Sequence, residues 1–250
     1  MALSIGTSTA TTTRASVLAH RVSACRSCEA RQASLCAGVP DASLDGLALA
    51  TTTHHITPGE VILDEGGEAE HAFTITSGMV KVFKLMPNGR RQVTGFMFAH
   101  DILGLAHDGT YVSSAEAVTD VTLCRFPRSK LEALLDRFPQ MERRLLRMTA
   151  TELAAAQDQM VLLGRKTASE KIASFLLMLA RRVERMGGSG DEVDLPMTRT
   201  DIADYLGLTT ETVSRTVTQL RKRGCIELVT PVCVRILDRD DLCKLADASW

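Results

Sequence analysis

Residues 197–224, MTRTDIADYLGLTTETVSRTVTQLRKRG, constrain the fold more tightly than any other stretch. Ala203, Gly207 and Val213 fall where two helices joined by a tight turn need a small residue, one that accepts positive φ, and a buried aliphatic. Ile202, Leu206, Leu208 and Val217 complete the packing, and Thr209 is placed to cap the second helix. On that helix Glu211, Ser214, Arg215 and Thr218 share one polar face, while Val213, Val217 and Leu220 point the other way. The polar face suits a DNA major groove: arginine bonds both guanine acceptors, glutamate accepts from cytosine N4, and serine reaches a base edge or phosphate. Arg221, Lys222 and Arg223 at its end are placed to meet phosphate, and as ordinary surface residues they would also complement the helix dipole.

The net charge of −1 gives no overall basic signature, so nucleic-acid binding must rest on this local surface. With 45% hydrophobic residues in 250, the chain has the composition of a soluble globular protein, and no apolar run approaches transmembrane length. Residues 1–20, rich in Ser and Thr, lack the sustained apolar region of a signal peptide and read as a flexible tail on a cytoplasmic protein.

From His54 to about Phe126 the pattern is strand-like, and His54-His55 begins a strand. Asn88-Gly89 sits between two apolar, β-branched runs, and both residues tolerate the positive φ of a tight hairpin. Short strands punctuated by glycine predict a small β-barrel or jelly roll. Beyond Pro127 the period becomes helical. Met141, Leu145, Met148, Leu153, Ala156, Met160 and Leu163 form one apolar stripe that can pack onto the β-domain or pair with another helix, its second half resembling a coiled-coil seam with Asp158 on its flank. Thr167 and Glu170 are spaced as a capping box opening a further helix that ends at Gly187-Gly188. The expected class is α+β: a tail (1–20), a cysteine loop with a β-roll (21–135), a long helix (136–164) and a winged helix-turn-helix domain (165–250).

CRSCEARQASLC, residues 25–36, packs three of the seven cysteines into a segment with no helical or strand period. In a reducing compartment such clusters are metal ligands or redox thiols more often than disulfides. Cys225, Cys233 and Cys243 have no short paired spacing and read as ordinary thiols. The six histidines show no metal-ligand spacing, and no nucleophile–base arrangement or phosphate loop stands out, so an enzyme is not expected.

The order of β-roll, long helix and helix-turn-helix resembles the cyclic-AMP receptor protein (CRP) superfamily of bacterial regulators. Within it, ETVSR at 211–215, DQMVLLGRKTASEKIASFLLML at 158–179 and MTRTDIADYLGLTTETVSR resemble the FNR group, which regulates anaerobic gene expression. The resemblance implies a cyclic-nucleotide-binding-like β-roll, a dimerisation helix carrying the apolar stripe, and a homodimer. That dimer would bind a double-stranded palindrome like TTGAT-N4-ATCAA and meet RNA polymerase as an activator. It also implies that Cys25, Cys28 and Cys36, spaced C-x-x-C-x7-C as in FnrN- and FixK-type variants, join Cys124 in VTLCRFP to hold an oxygen-labile 4Fe-4S cluster. Four thiolates suit tetrahedral zinc as well, which leaves a zinc-stapled binding module, or a regulator sensing a small molecule or thiol redox state, as alternatives. The family's cyclic-nucleotide cassette has Glu and Arg where this chain has Leu105 and Ser113, so cyclic AMP is not the expected ligand.

Overall fold

The computed structural model describes residues 22–246. The expected tail at 1–20 lies outside the described residues. A helical segment at 22–26 holds Cys25, a 3₁₀ turn at Glu29–Gln32 follows Cys28, and a second at Leu35–Gly38 contains Cys36, after which the chain enters helix α1 (Leu44–Ala50).

Strands β1 (Thr52–Ile56), β2 (Val61–Leu63), β3 (His71–Ser77), β4 (Met79–Leu85), β5 (Arg91–Phe98), β6 (Ile102–Leu103), β7 (Ala106–His107), β8 (Thr110–Tyr111), β9 (Ser114–Ala117) and β10 (Val121–Pro127) build the roll. They form two four-stranded antiparallel sheets, ordered β1-β10-β3-β6 and β2-β9-β4-β5, with β7 and β8 as a separate ribbon. Ile75, Val121 and Leu123 of the first sheet meet Val80, Met97 and Ala115 of the second inside the roll. Because strand side chains alternate, Ala72, Cys124 and Phe126 fall on the opposite face of the first sheet, under the cysteine loop and α1.

The Asn-Gly hairpin forms between β4 and β5, but of its two residues only Gly89 takes positive φ, at 76°. Gly89 N–H bonds Met86 O at 2.9 Å and Met86 N–H bonds Arg90 O at 2.8 Å, closing a three-residue loop rather than a two-residue turn.

Helix α2 (Arg128–Arg137) leads into α3 (Pro139–Arg165), which carries the predicted stripe and divides it between several partners. Met141 is fully buried against α1, α2 and the cysteine loop, with Leu145 and Met148 packed onto the same cluster, while Leu162 and Leu163 join the core of the C-terminal domain. Met141 is closed off inside the protomer, which corrects the expectation that it faces a second chain, whereas Leu145, Met148 and Leu163 are half-buried and keep part of their surface open. The exposed apolar residues of α3 are Leu146, Leu153, Met160 and Val161, with Ala150 and Ala156 also exposed. Spacings of three and four among Leu146, Ala150, Leu153, Ala156 and Met160 keep them on one stripe, rotated from the predicted one over the first half of the helix. Asp158 is exposed beside this stripe.

The C-terminal domain consists of α4 (Ala168–Arg185), β11 (Glu192–Asp194), α5 (Arg199–Leu206), α6 (Thr210–Lys222), β12 (Ile226–Thr230), β13 (Cys233–Ile236) and α7 (Arg239–Leu245). Strands ordered β11-β13-β12 make the wing. Thr167 and Glu170 cap α4 reciprocally, as their spacing predicts, and Gly207 ends α5 in the left-handed conformation. This domain is docked on the outer face of the second roll sheet: Met79, Phe83, Val93 and Phe96 belong to one apolar cluster with α4, α5 and α6. Phe96, Phe175 and Tyr205 sit with ring centroids 5.3–6.0 Å apart at tilted angles, an arrangement favoured by the ring quadrupoles. No described helix is long and apolar enough to cross a membrane.

Candidate functional site

The first site is a cavity of about 570 Å³ between the cysteine loop and the outer face of the first sheet. Cys25, Cys28 and Cys36 line it from the loop, and Cys124 lines it from β10, with Thr53 and Thr74 beside it. Cys124 lies on a rigid central strand, paired with Thr53 of β1 and Thr74 of β3. The three loop cysteines come from a segment with little regular structure, whose position is set by a few specific contacts. Arg31 donates to Val39 O at 2.8 Å and pairs with Asp41 at 2.6 Å. Arg144 of α3 donates to the carbonyls of Gln32 and Ala33. Gly38 lies so close to the start of α3 that a Cβ there would stand 2.4 Å from the Met141 nitrogen, which is why no larger residue fits.

Burial governs the thiols. It pushes Cys36 up to about 12, with the charge of Cys124 adding and the Ser34 hydroxyl opposing. Burial likewise pushes Cys124 up to about 11, reinforced by Cys28 and Cys25 and opposed by the Thr53 hydroxyl. Cys25 is raised by burial and by Cys28, against Thr51 and Arg31. The sulfurs are close enough to feel one another's charge, and without a cation between them the raised Cys25, Cys36 and Cys124 thiols stay protonated at neutral pH. All seven cysteines are free thiols. Among the described residues, no three His, Cys, Asp or Glu side chains close on a point as ligands of one metal ion would. Thr74 Oγ1 is buried at the cavity wall without a hydrogen-bond partner.

The second site is the outer face of α6. Thr209 caps the helix by accepting from Thr212 N–H at 3.2 Å. Val213, Val217 and Leu220 are buried, so Glu211, Ser214, Arg215 and Thr218 are exposed together on the opposite side. The Thr218 hydroxyl is tied to Ser214 O at 2.9 Å and the Glu211 carboxylate is engaged at the helix start, which leaves Ser214 and Arg215 as the side chains of this quartet with no hydrogen bond to the described residues. The Glu211 carboxyl is held below the usual range by its own backbone N–H at the start of the helix and by the Thr209 hydroxyl, against a smaller effect of burial. Arg221 and Lys222 continue the exposed face toward the C-terminus of the helix.

Leu105 packs against the cluster beneath the cysteine loop, and Ser113 precedes β9, so neither contributes a charge to the roll. Sequence reasoning missed the hydroxyls beside the thiols: Thr53 is opposite Cys124 only through strand register, and Thr51 reaches Cys25 only through the loop's fold. Ser34 stands two residues from Cys36, and that proximity was a usable signal. Cys225 is buried in the C-terminal domain with its thiol 3.1 Å from Asp241, away from the cavity, and Cys233 and Cys243 also lie in that domain.

The cyclic nucleotide-binding domain family matches residues 53–138, and the Crp-like helix-turn-helix domain family matches residues 170–245. The nitrogen fixation regulation protein FixK of Bradyrhizobium diazoefficiens is 38% identical over 205 residues, covering 82% of this chain and 86% of the relative. The transcriptional activator protein FnrL of Cereibacter sphaeroides is 36% identical over 208 residues, covering 82% and 84%. The solved structure of FixK2 from Bradyrhizobium japonicum superposes with a TM-score of 0.74 at 38% identity, covering 80% of this chain and 99% of that one.

Proposed function

Since the chain belongs to the FNR/FixK group of the CRP superfamily of helix-turn-helix transcription regulators, we propose that it is an oxygen-responsive activator in which Cys25, Cys28, Cys36 and Cys124 hold a 4Fe-4S cluster. The observation that carries this reading is the meeting of four thiols from two distant parts of the chain on one cavity. Thiolates binding zinc lie about 2.3 Å from the ion, which draws them to a single point. Thiols bordering about 570 Å³ suit a polynuclear centre better. Bound there, the cluster would supply the oxygen-labile element.

The chain's own groups do the remaining work. Hydroxyls of Thr51, Thr53 and Ser34 favour the thiolate form of three of the four cysteines, offsetting part of the burial penalty. The loop rests directly on the first turns of α3 through Arg144 and Gly38, so ordering the loop bears on the helix that carries the exposed stripe. Leu146, Leu153, Met160 and Val161 are left exposed by the described residues, and a second copy supplies the matching stripe. A two-fold dimer presents its α6 helices to successive major grooves about 34 Å apart, which fits a palindrome such as TTGAT-N4-ATCAA. On each half-site Glu211 and Arg215 read bases and Ser214 supports them. With Leu105 and Ser113 in the roll, neither a carboxylate for ribose hydroxyls nor a guanidinium for a cyclic phosphate is present at those positions, which argues against cyclic AMP as effector.

The test is iron and acid-labile sulfide analysis of the anaerobically purified full chain and of Cys124→Ser, with DNA binding measured before and after air. Iron with equimolar sulfide in the wild type, lost in Cys124→Ser, is expected together with weaker operator binding after air. Zinc without sulfide, or full iron in Cys124→Ser, overturns the cluster assignment.

A further inference from the structure

The turn between β5 and β6, residues 99–101, is touched from both functional ends of the protomer. Its backbone is fixed to the middle of β3: His100 N–H donates to Ile75 O at 2.9 Å, and Ile75 N–H donates to Asp101 O at 3.0 Å. Within the turn, Asp101 N–H donates to Phe98 O at 3.1 Å and the Asp101 carboxylate accepts from Phe98 N–H at 2.9 Å. Ile75 is fully buried, and its neighbours Thr74 and Thr76 line the thiol cavity. His100 has φ of +82°, a conformation that few non-glycine residues adopt and that persists only where surrounding contacts hold it.

Two groups leave this anchored turn in opposite directions. His100 Nδ1 donates to the Ala30 carbonyl at 3.1 Å, and Ala30 is buried in the 3₁₀ turn between Cys28 and Cys36. On the other side Arg182 of α4 donates to Asp101 Oδ2 at 2.7 Å and to Ala99 O at 3.2 Å, and its guanidinium lies 4.4 Å from the centroid of the Phe98 ring. Glu152 of α3, although exposed, adjoins the same place: partial desolvation and then the charge of Asp101 raise its carboxyl, and Arg182 opposes that.

We propose that the 99–101 turn is a relay within one protomer, passing the position of the cysteine loop through His100 and Asp101 to Arg182 and so to the helix-turn-helix domain. Displacing Ala30 removes the contact that helps hold His100 at positive φ. The turn then relaxes, and Asp101 and the Ala99 carbonyl, which seat Arg182, move with it. This path needs no second chain and acts beside dimerisation. It rests on reading the cysteine loop as the sensor, whereas the contacts themselves do not depend on what the thiols bind.

The test is amide hydrogen exchange on the anaerobically purified full chain, comparing wild type with His100→Asn, Arg182→Ala and Arg91→Ala. Asparagine tolerates positive φ, so His100→Asn removes the reach to Ala30 without forcing the backbone. His100→Asn is expected to speed exchange in the second half of α4, which His100 does not touch, by about fivefold or more. Arg182→Ala is expected to speed exchange over residues 28–34 by a similar factor. Arg91→Ala loosens the same domain interface through Asp201 and Asp204 without touching the turn, and leaves residues 28–34 unchanged. The relay is overturned if His100→Asn and Arg182→Ala each affect only their own side, or if Arg91→Ala reaches residues 28–34 as strongly as Arg182→Ala. Iron and sulfide counted on the same wild-type sample judge the cluster separately: a sample without iron refutes that reading while the exchange pattern still decides the relay.

Discussion

Lys81→Met tests how firmly the helix-turn-helix domain is held on the roll. Lys81 Nζ lies 2.7 Å from Glu116 and 2.9 Å from Asp201, with Lys81 and Asp201 side chains only 8% and 3% exposed. Arg91 closes the group, 2.9 Å from Asp201, 3.3 Å from Asp204 and 3.7 Å from Glu116. Two cations thus face three carboxylates, and methionine would keep the apolar stem while leaving one cation for three. Removing one partner of a buried pair costs about 3–5 kcal/mol, and because Arg91 stays against Asp201 the lower end, about 3 kcal/mol, is expected. At roughly 2–4 °C per kcal/mol for a chain of this size, the thermal midpoint falls by about 6–12 °C. Burial works to raise the Asp201 carboxyl, yet the Thr198 hydroxyl and N–H and the Lys81 ammonium hold it below the usual value. A depressed carboxyl contributes stability above its unfolded pKa and loses it as pH falls through the folded one, so the effect is complete at pH 7 and fades only below about pH 4. In Lys81→Met/Asp201→Asn the stranded anion is gone and asparagine still accepts from Thr198, so part of the loss returns, a coupling of about 1–2 kcal/mol. Circular dichroism melts of the four proteins at pH 7 measure this cycle. A single-mutant cost under about 1 kcal/mol, or strict additivity, would refute the reasoning.

Leu153→Glu places a charge on the exposed stripe of α3 and is expected to leave a folded monomer in sedimentation at concentrations where wild type pairs, whereas Met141→Ala empties a fully buried site and costs about 2–5 kcal/mol of stability without changing association; the opposite assignment of effects would restore the stripe read from sequence. Arg215→Ala should lose about 1–3 kcal/mol of discrimination at one guanine per half-site while low-salt binding persists, and unchanged preference among base-substituted operators would remove α6 from the recognition role. In the metal-free chain the Cys124 thiol, pushed up to about 11, should alkylate more slowly than free cysteine at pH 8 and accelerate as pH rises toward that value; mass-spectrometric rates equal to free cysteine at pH 8 would contradict its burial beside Cys28 and Cys25.

The helix-turn-helix was legible because its determinants are local. The Thr209 cap, the left-handed Gly207 and the buried Val213 and Val217 lie within a dozen residues of one another and dictate the same two helices. The β-roll was legible in outline for the same reason, through alternation and the Asn-Gly turn, although the turn's closure depended on how β4 and β5 pair. The helical period of α3 was visible, but periodicity reveals that an apolar stripe exists and not what covers it. Met141 is closed into the core under the cysteine loop, with Leu145 and Met148 half-buried at its edge, because α1 and α2 happen to stand there. That Cys124 would meet Cys25, Cys28 and Cys36 was available only by resemblance, since nothing local relates a strand residue to a loop some ninety residues earlier. The contacts of Lys81 with Asp201 and of Asp101 with Arg182 span 120 and 81 residues. Each of these residues alone is an ordinary surface charge in sequence. Only the docking of two hydrophobic faces, which removes water from between them, makes the pairs obligatory and gives the 99–101 turn a partner on either side.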